Sequence, residues 1–427
     1  MTHEEQHPER AHLIRERNQR LVLRLIFRTG ILSQSKAVQR TGLKAPTVFR
    51  IFSDLEREGL IEAVSEPSSR SPKNRKKGRR PVNYRIRSSA AYVVGIDFWA
   101  RSAAAIIQDF AGNLVAERGV CFASPPSAED ALDIIANLIR DMLVESSIDR
   151  SKLLGIGVGA PGSVSVSSGV VQFYARIPGM NEFPLGERLG SLFSVPVIVT
   201  NNASIVALAE ERYGQARGVS SLFLFLVRAG VGGAFIQNGK LMSDRSRTAF
   251  EVGHLSIDPS GLACSCGNRG CLELYLNEET VCTALSQIEP CAGIEDAERI
   301  LSANNPEVDA ALKPILEISA HAVRDIRRLL APEAVLIVTR SKSLSEHIAQ
   351  AASADFERND QRFGPPGARI IASEYNPVLA CKAACDLVYE EYFAHGFGEG
   401  SGFPGGGFMG GSQQRFAGQQ PSSAQAE

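Results

Sequence analysis

The sequence predicts an α/β protein in which a small helix-turn-helix head precedes a larger body built on mixed sheets. Two patterns carry this prediction. Three helical stretches separated by glycines fill the first part of the chain, and from Ala91 onward apolar strand-like runs alternate with amphipathic helices. With 427 residues, the chain is also too long for one ordinary hydrophobic core, so two or three domains are expected.

The net charge of the chain changes sign at nearly the same position as its secondary-structure pattern changes. Residues 1–87 hold 20 lysines and arginines against 9 acidic residues, and the rest of the chain holds 26 against 38. The net charge of −1 therefore combines a head of +11 with a body of −12. A basic module on an acidic body favours a nucleic-acid partner for the head alone.

The amino-acid composition indicates the class of protein and the cellular compartment to expect. A hydrophobic content of 44% with 22% charged residues is typical of a soluble globular protein. No stretch reaches the ~18 uninterrupted apolar residues of a membrane span, and the N-terminal residues are too charged for a secretory signal peptide. Eight unevenly spaced cysteines without an export signal fit a reducing compartment. We therefore expect a cytoplasmic protein without a membrane partner.

In the head, the residues that begin and end helices are spaced as in a helix-turn-helix. A long helical pattern ends at Gly30, and Ser33 is suited to cap a short second helix that Gly42 terminates. A third helical pattern begins near Pro46, whose missing N–H costs little in a first turn. Two helices joined by a tight turn form the DNA-reading unit of such domains. A three-helix bundle with a basic linker is the alternative that this pattern leaves open.

Two regions of the head are predicted to contact DNA. At the start of the third helix, Lys44, Thr47 and Arg50 are candidates for base and phosphate contact. The strand-like runs LIEAV and VNYRI are expected to pair as a wing, whose tip at Arg70–Arg80 contains seven basic residues and no acidic one. Such a cationic loop suits phosphates or a minor groove. Its candidate contacts are Arg75, Lys76, Lys77, Arg79 and Arg80.

The body contains a cluster of metal-binding side chains. Three cysteines at C-x-C-x4-C spacing, Cys264, Cys266 and Cys271, follow His254 by ten residues or more. One imidazole and three thiolates make a closed tetrahedral set for zinc, which favours a structural over a catalytic ion. A zinc knuckle that binds nucleic acid is the alternative, although Arg269 is the one basic residue between these ligands.

Several motifs together resemble the ROK family, which contains both transcriptional repressors and sugar kinases. In the head the resemblance rests on LSQSKAVQRTGLKAPTVFRIFSDLEREGLI followed by GRRP. In the body it rests on GIGVGAPG, VTNNAS, GVGGA, EVGH and, most specifically, CSCGNRGCLE. Together these motifs extend over the whole chain except its tail.

The resemblance implies a winged helix-turn-helix over residues 1–88 and a two-lobed, actin-like (ribonuclease H-like) domain of the sugar-kinase type over 89–394. The first lobe would span about 91–200 with a helix at about 376–394, and the second about 201–375. The resemblance also implies a sugar site in the cleft between the lobes, formed by Asn201, Asn202, Glu251, His254 and Glu273. Residues 395–427 are rich in Gly, Ser and Gln, and we expect this tail to be disordered.

The motifs that a ROK kinase uses for phosphoryl transfer are altered. Kinases of the family read D-x-G-G-T-K after the first strand, whereas here Asp97 is followed by Phe98 and Trp99. The glycine-rich phosphate turn begins with Arg228, and Thr339 and Arg340 replace a Gly-Gly turn.

The fourth change is at the catalytic base. Asn202 stands where the kinases have an aspartate that accepts the proton of the sugar hydroxyl, and an amide is not basic at neutral pH. Four separate changes, three in the nucleotide motifs and one at the catalytic base, predict that the chain is not an enzyme.

These observations lead to one leading hypothesis and two rivals. We expect a regulator, by the family's usual mode a repressor of carbohydrate genes, that binds a double-stranded DNA operator as a homo-oligomer and responds to a sugar or sugar phosphate. The first rival is a hexose kinase with an attached DNA-binding head. The second is a body that binds no sugar and serves only for dimerisation or for a protein partner.

Overall fold

The computed structural model describes residues 6–64, 82–242, 250–303, 305–359 and 368–396. The predicted wing tip and the predicted tail from residue 397 onward lie outside these ranges. Among the described residues, no helix combines the length and the apolar character that crossing a membrane requires.

The head consists of three helices and a three-stranded antiparallel sheet of order β1-β3-β2. Its elements are α1 (Gln6–Thr29), β1 (Leu32–Ser33), α2 (Gln34–Thr41), α3 (Ala45–Arg57), β2 (Ile61–Val64) and β3 (Asn83–Ile86). This is the arrangement of a winged helix-turn-helix.

The residues predicted to begin and end the helices of the head do so in the structure. The hydroxyl of Ser33 accepts a hydrogen bond from the backbone N–H of Lys36 and caps α2. Gly42 ends that helix with a φ of 70°, a conformation that glycine adopts without steric cost. Pro46 occupies the first turn of α3. The apolar face of α3 is buried as predicted; its members are Val48, Ile51, Phe52 and Leu55.

A buried carboxylate fixes the third helix against the first. Asp54 of α3 accepts hydrogen bonds from Arg15 of α1, at 2.7 Å, and from Arg57, at 2.6 Å. Burial acts to raise the pKa of Asp54, but these two guanidinium groups outweigh burial and lower it. The carboxylate therefore stays charged at neutral pH and orients α3 relative to α1.

The body contains two five-stranded sheets of matching topology. The first lobe is built on the sheet of order β10-β7-β4-β5-β6. Its elements are β4 (Tyr92–Trp99), β5 (Ser102–Asp109), β6 (Leu114–Cys121), α4 (Ala128–Glu145), β7 (Leu153–Ala160), β8 (Ser163–Ser165), β9 (Val170–Phe173), α5 (Leu185–Phe193) and β10 (Val197–Asn201). Strands β4 to β6 form an antiparallel meander, as predicted, and β7 and β10 run parallel to β4.

The second lobe repeats this pattern with the sheet order β13-β12-β11-β14-β15. Its elements are α6 (Asn202–Arg212), β11 (Ser221–Val227), β12 (Val231–Gln237), β13 (Lys240–Leu241), α7 (Glu278–Leu285), α8 (Ile294–Leu301), α9 (Pro306–Leu330), β14 (Ala334–Thr339), α10 (Lys342–Asn359) and β15 (Arg369–Glu374). Three strands are again antiparallel, and β14 and β15 are parallel to β11. The repeated topology is that of the two-lobed, actin-like fold that the sequence predicted.

The last helix, α11 (Pro377–His395), connects the body to the head. One side of α11 lies on the first sheet, and its C-terminal part meets α1 through aromatic contacts. The ring of Phe27 lies 5.0 Å from the ring of Tyr389 and 5.1 Å from that of Phe393. Head, first sheet and α11 thus share one hydrophobic cluster. The boundaries at residues 88 and 394 stay our proposal for where the domains divide.

Candidate ligand site and metal centre

A cavity of about 560 Å³ lies between the two lobes. Its wall contains residues at or just beyond the carboxyl ends of four strands: Trp99 at the end of β4, Gly162 after β7, Asn201 at the end of β10 and Arg228 after β11. Ligands of open α/β sheets bind at such strand ends, because neighbouring loops diverge there and leave a crevice. The cavity is therefore the natural ligand site of this fold.

The structure brings together all five residues that the sequence assigned to a sugar. Each of them lines the cavity: Asn201, Asn202, Glu251, His254 and Glu273. They come from the junction of β10 and α6 and from two short 3₁₀ turns, Val252–His254 and Leu272–Leu274. The set contains carboxylate, imidazole and amide groups, which together offer the donors and acceptors that a polyol needs.

The two asparagines have different surroundings. The Oδ1 atom of Asn201 accepts a hydrogen bond from the N–H of Ala203 at 2.7 Å and caps α6, and its Nδ2 donates to the carbonyl of Gly162 at 2.5 Å. Asn202 donates to the carbonyl of Phe98 at 3.4 Å. Asn201 thus supports the loop geometry directly, while Asn202 has one long hydrogen bond across to β4.

Glu273 stands between the metal-binding cluster and the cavity. Its Oε1 lies 3.6 Å from His254 Nδ1 and 3.5 Å from Cys264 Sγ. Its Oε2 lies 3.5 Å from a guanidinium nitrogen of Arg176, which comes from the loop after β9. The side chain of Glu273 is 15% exposed, so its carboxylate is surrounded mainly by these neighbours and by the cavity.

The predicted metal ligands form one compact cluster. One donor atom from each of His254, Cys264, Cys266 and Cys271 lies within 4.8 Å of all the others. Cys264 Sγ is 3.7 Å from His254 Nδ1, and Cys266 Sγ is 3.6 Å from Cys271 Sγ. Donors about 2.3 Å from a tetrahedral ion would be roughly 3.8 Å apart, so the spacing suits such an ion. The cluster is therefore able to hold a metal.

The loop that carries the cysteines is folded tightly. A Cβ atom on Gly270 would lie 1.7 Å from the carbonyl oxygen of Asp258, and its φ of 63° also favours glycine. This close approach brings Cys271 back beside Ser256, with which it forms an isolated β-bridge. Burial raises the pKa of Cys271 to about 12, so its thiolate form depends on a nearby cation.

Opposite the metal cluster, four side chains form what we term the interlobe cluster: Asp97, Trp99, Arg228 and Tyr375. The guanidinium of Arg228 lies 3.7 Å from the ring centre of Trp99 and 4.5 Å from that of Tyr375. Asp97 Oδ2 accepts hydrogen bonds from Trp99 Nε1, at 2.7 Å, and from the hydroxyl of Tyr375. Arg228 is 6% exposed and Asp97 is fully buried.

The interlobe cluster joins the two lobes and closes one end of the cavity. Asp97 and Trp99 belong to β4 of the first lobe, whereas Arg228 follows β11 of the second and Tyr375 follows β15. Burial raises the pKa of Asp97 to about 6, although the charge of Arg228 and the two hydrogen bonds act to lower it. Within the part of the chain that the structure describes, neither Asp97 Oδ1 nor Arg228 Nη1 has a hydrogen-bond partner.

A second ion pair occupies the turn after β14. Arg340 donates two hydrogen bonds to the carboxylate of Glu278, at 2.8 and 2.5 Å. The hydroxyl of Thr339 donates to the carbonyl of Ser341 inside the same turn. Side chains thus fill a turn in which the resemblance places two glycines in the kinases.

Only three of the predicted DNA-contacting residues lie within the described ranges. Lys44 is the exposed N-cap residue of α3, and Arg50 is exposed six residues further along. Thr47 was expected to be exposed but is half-buried, because it borders the apolar face at Val48. The five wing-tip candidates, Arg75, Lys76, Lys77, Arg79 and Arg80, lie outside the described residues.

The sequence did not point to several cavity residues. Tyr174 and Arg176 line the cavity from the loop after β9, and Tyr375 enters the interlobe cluster from beyond β15. None of the three has a motif spacing that links it to the other site residues. Arg176 had one available signal, which is a single basic residue, two positions before Pro178, in an otherwise uncharged segment.

Residues 93–363 match the sequence pattern of the ROK family, and this match extends over more than half of the chain. The chain belongs to the ROK family. The family assignment made from the head and body motifs is thereby confirmed.

Curated relatives within this group are named as repressors. The chain is 28% identical over 349 residues to the xylose repressor of Caldicellulosiruptor bescii, covering 78% of this chain and 86% of the relative. It is 27% identical over 334 residues to the xylose repressor of Bacillus subtilis strain 168, with shares of 78% and 84%. It is also 27% identical over 262 residues to the DNA-binding transcriptional dual regulator NagC of Escherichia coli K12, with shares of 61% and 62%. The predicted regulator class agrees with these names.

Solved structures of the family support the fold. A ROK family transcriptional regulator described as a homologue of the E. coli MLC protein superposes with a TM-score of 0.70 at 19% identity, covering 88% of this chain and 97% of that one. A ROK glucokinase from Streptomyces griseus, solved with glucose and AMPPNP, superposes with a TM-score of 0.61 at 22% identity, covering 70% and 99%. At these identities the likeness establishes the fold alone. The α/β, two-lobed prediction is confirmed.

We predict that the fluorescence of Trp99 changes in one step with a midpoint near pH 6, the pKa to which burial raises Asp97. Trp99 is the single tryptophan of the chain, and its indole N–H bonds to this carboxylate, so protonation alters the field at the ring. The folded pKa lies above the ordinary value. The contribution of Asp97 to stability is therefore complete below about pH 4 and is lost as the pH rises through 6.

A fluorescence titration checks this prediction, with Asp97→Asn as the matched control that has no ionisable carboxyl. The step should be absent in the variant. A flat titration of the wild-type protein between pH 5 and pH 8 would contradict the assignment.

Proposed function

We propose that this ROK protein is a DNA-binding transcriptional repressor of carbohydrate genes whose body binds a sugar or sugar phosphate as effector. One arrangement carries the proposal: a polar cavity with polyol-binding groups, closed at its phosphate end by side chains, is joined through α11 to a basic winged-helix head. The names of the curated relatives support the same class.

The proposed sugar contacts are Asn202, Glu251, His254 and Glu273, with Asn201 shaping the loop beside them. Carboxylates accept hydrogen bonds from sugar hydroxyls, and the amide of Asn202 both donates and accepts. His254 lines the cavity while its Nδ1 faces Cys264, so one imidazole serves the cavity wall and the metal cluster together. The position of Glu273 links the same two features.

We propose that the metal is zinc and that its role is structural. His254 and the three cysteines would supply one nitrogen and three sulfur ligands, a closed set that leaves no position for an activated water. Zinc bound there would hold the loop that presents His254 and Glu273 to the cavity. No step of the proposed function requires chemistry at the ion.

We also infer that the body does not transfer phosphate. Arg228, stacked on Trp99, occupies the space in which glycines would let a nucleotide phosphate approach the backbone, and Arg340 with Glu278 fills the next turn. Asn202 cannot act as the general base. Losses at all of these positions leave a sugar site without a site for the phosphates of a nucleotide.

DNA binding is assigned to Lys44, Thr47 and Arg50 of the head, together with the basic wing-tip residues Arg75, Lys76, Lys77, Arg79 and Arg80. Their positive charge suits phosphates and guanine edges. Helix-turn-helix heads commonly act in pairs on two half-sites, so we propose a homo-oligomer in the cytoplasm.

The route from cavity to head passes through three packed helices. α6 begins at Asn202 in the cavity, and at its end Arg212 forms ion pairs with Asp386 and Glu390 of α11. α11 in turn contacts Phe27 of α1. An effector can alter DNA binding only as far as it favours one arrangement of this stack over another.

The sugar assignment predicts that Glu251→Gln and Glu273→Gln each raise the sugar concentration needed to release DNA about tenfold to hundredfold. The reason is the loss of a charged hydrogen-bond acceptor in the cavity. Gel shifts would use a duplex selected by the wild-type protein and a panel of monosaccharides and their phosphates. Operator affinity without sugar should be unchanged, as it should be in the surface control Glu129→Gln. Ordinary release in both cavity variants would refute the sugar site.

The zinc assignment predicts about one zinc ion per chain, measured by elemental analysis of the purified protein, and its loss in Cys266→Ser. The variant should also need more sugar for DNA release, because the loop holding His254 and Glu273 loses its anchor. Cys282→Ser, which removes a buried thiol outside the cluster, is the matched control. Full zinc content in Cys266→Ser would show that the assignment is wrong.

The absence of phosphoryl transfer predicts no sugar-dependent formation of ADP from ATP and Mg²⁺ with any hexose of a panel. Asn202→Asp should stay inactive as well, because Trp99 and Arg228 still fill the phosphate end of the cavity. A coupled assay with an active ROK glucokinase as positive control measures this. Turnover by the wild-type chain would support the kinase alternative.

A further inference from the structure

The solvent-facing side of α3 contains an unexpected apolar residue. Phe49 is 48% exposed, and among the described residues it is the only large hydrophobic side chain of α3 that is exposed. Arg50, Ser53 and Pro46, which share this side of the helix, are exposed as well.

The position of Phe49 is not a consequence of a poorly packed helix. The opposite face of α3 is completely buried, with Val48 and Phe52 both at 0% exposure. Asp54 binds α3 to α1 through Arg15, as described above. The buried face of α3 thus already contains an aromatic ring, that of Phe52, while Phe49 lies on the exposed side of the same well-packed helix.

The charge around Phe49 indicates which partner this side of α3 meets. Lys44, the N-cap residue of α3, and Arg50, next to Phe49 in the chain, are both exposed, and residues 1–87 as a whole have a charge of +11, from 20 basic and 9 acidic residues. A polyanion is the complementary partner for such a surface. Within DNA, one apolar group is offered to a helix in the major groove, the 5-methyl group of thymine, and phenylalanine is among the side chains that contact it.

We propose that Phe49 contacts a thymine methyl group in the major groove of the operator and thereby sets the base preference at that position. Arg50, next to it, would bind a phosphate or a guanine edge, so the pair combines affinity with discrimination. The proposal rests on the DNA-binding function proposed above and adds to it a residue and the chemical group that it recognises.

The test uses the full-length chain and duplexes selected by it from a randomised DNA library. In the selected duplex, each thymine is replaced in turn by deoxyuridine, which removes only the methyl group. For the wild-type protein we expect one thymine per half-site at which this change weakens binding about three- to fivefold, the effect of losing one buried methyl group. In Phe49→Ala the thymine and uracil duplexes should bind equally at that position.

Two controls separate this contact from other effects. Phe49→Leu keeps an apolar side chain and should retain part of the thymine preference, which also shows that the helix tolerates substitution. Ile31→Ala removes an apolar residue of similar exposure, 51%, that lies outside α3, and should leave the preference intact. The salt dependence of binding should not change in Phe49→Ala but should weaken in Arg50→Ala, because only the latter removes a charge.

The outcomes distinguish this proposal from the proposed function. If Phe49→Ala selects the same sequence and keeps the same thymine-to-uracil ratio at every position, the methyl contact is refuted and the regulator assignment stands. An exposed ring used for a protein partner would give that result. If the wild-type chain enriches no DNA sequence, the proposed function fails, and the methyl contact fails with it.

Discussion

The close approach of α11 to the first sheet is the constraint on which the rest of the molecule depends. A Cβ atom on Gly95 would lie 2.0 Å from the carbonyl oxygen of Cys381, and one on Gly157 would lie 2.0 Å from that of Ala384. The helix backbone therefore rests on the strands without intervening side chains. With such contact, packed elements move together instead of deforming, since protein interiors are close-packed. The same helix contacts α1 of the head, through the rings of Tyr389 and Phe393 against that of Phe27.

The two ends of the cavity differ in what fills them. At the metal end, Glu251, His254 and Glu273 leave space for a polar ligand. At the other end, Trp99 and Arg228 are stacked on each other with Asp97 beneath them. On the proposed function, the fold keeps the sugar half of a kinase cleft and replaces the phosphate half with side chains that join the lobes. Arg228 is nearly buried, so Asp97 and the two aromatic rings offset the cost of placing its positive charge there.

Much of the head and the metal cluster was predictable because the signals are local. Ser33, Gly42 and Pro46 set helix ends through backbone geometry that depends on a few neighbouring residues. The cysteine spacing predicted a ligand set, and the four side chains do meet. Less was predictable for Thr47, whose half-buried state depends on how α3 is rotated against the core. Arg176 and Tyr375 were missed, since each reaches its site from a distant part of the chain.

Residue type and spacing were enough to predict the family of this chain, because the basic head, the alternating body, the metal-binding cluster and the residues that the resemblance sets apart from the kinases are all visible in the linear chain. How those last residues contact one another follows from the three-dimensional packing. Asp97 and Tyr375 are 278 positions apart, and Trp99 and Arg228 come from different lobes, yet they form one buried cluster. Local preferences specify helices and turns, but only the packing of two sheets around a common cleft places such residues in contact.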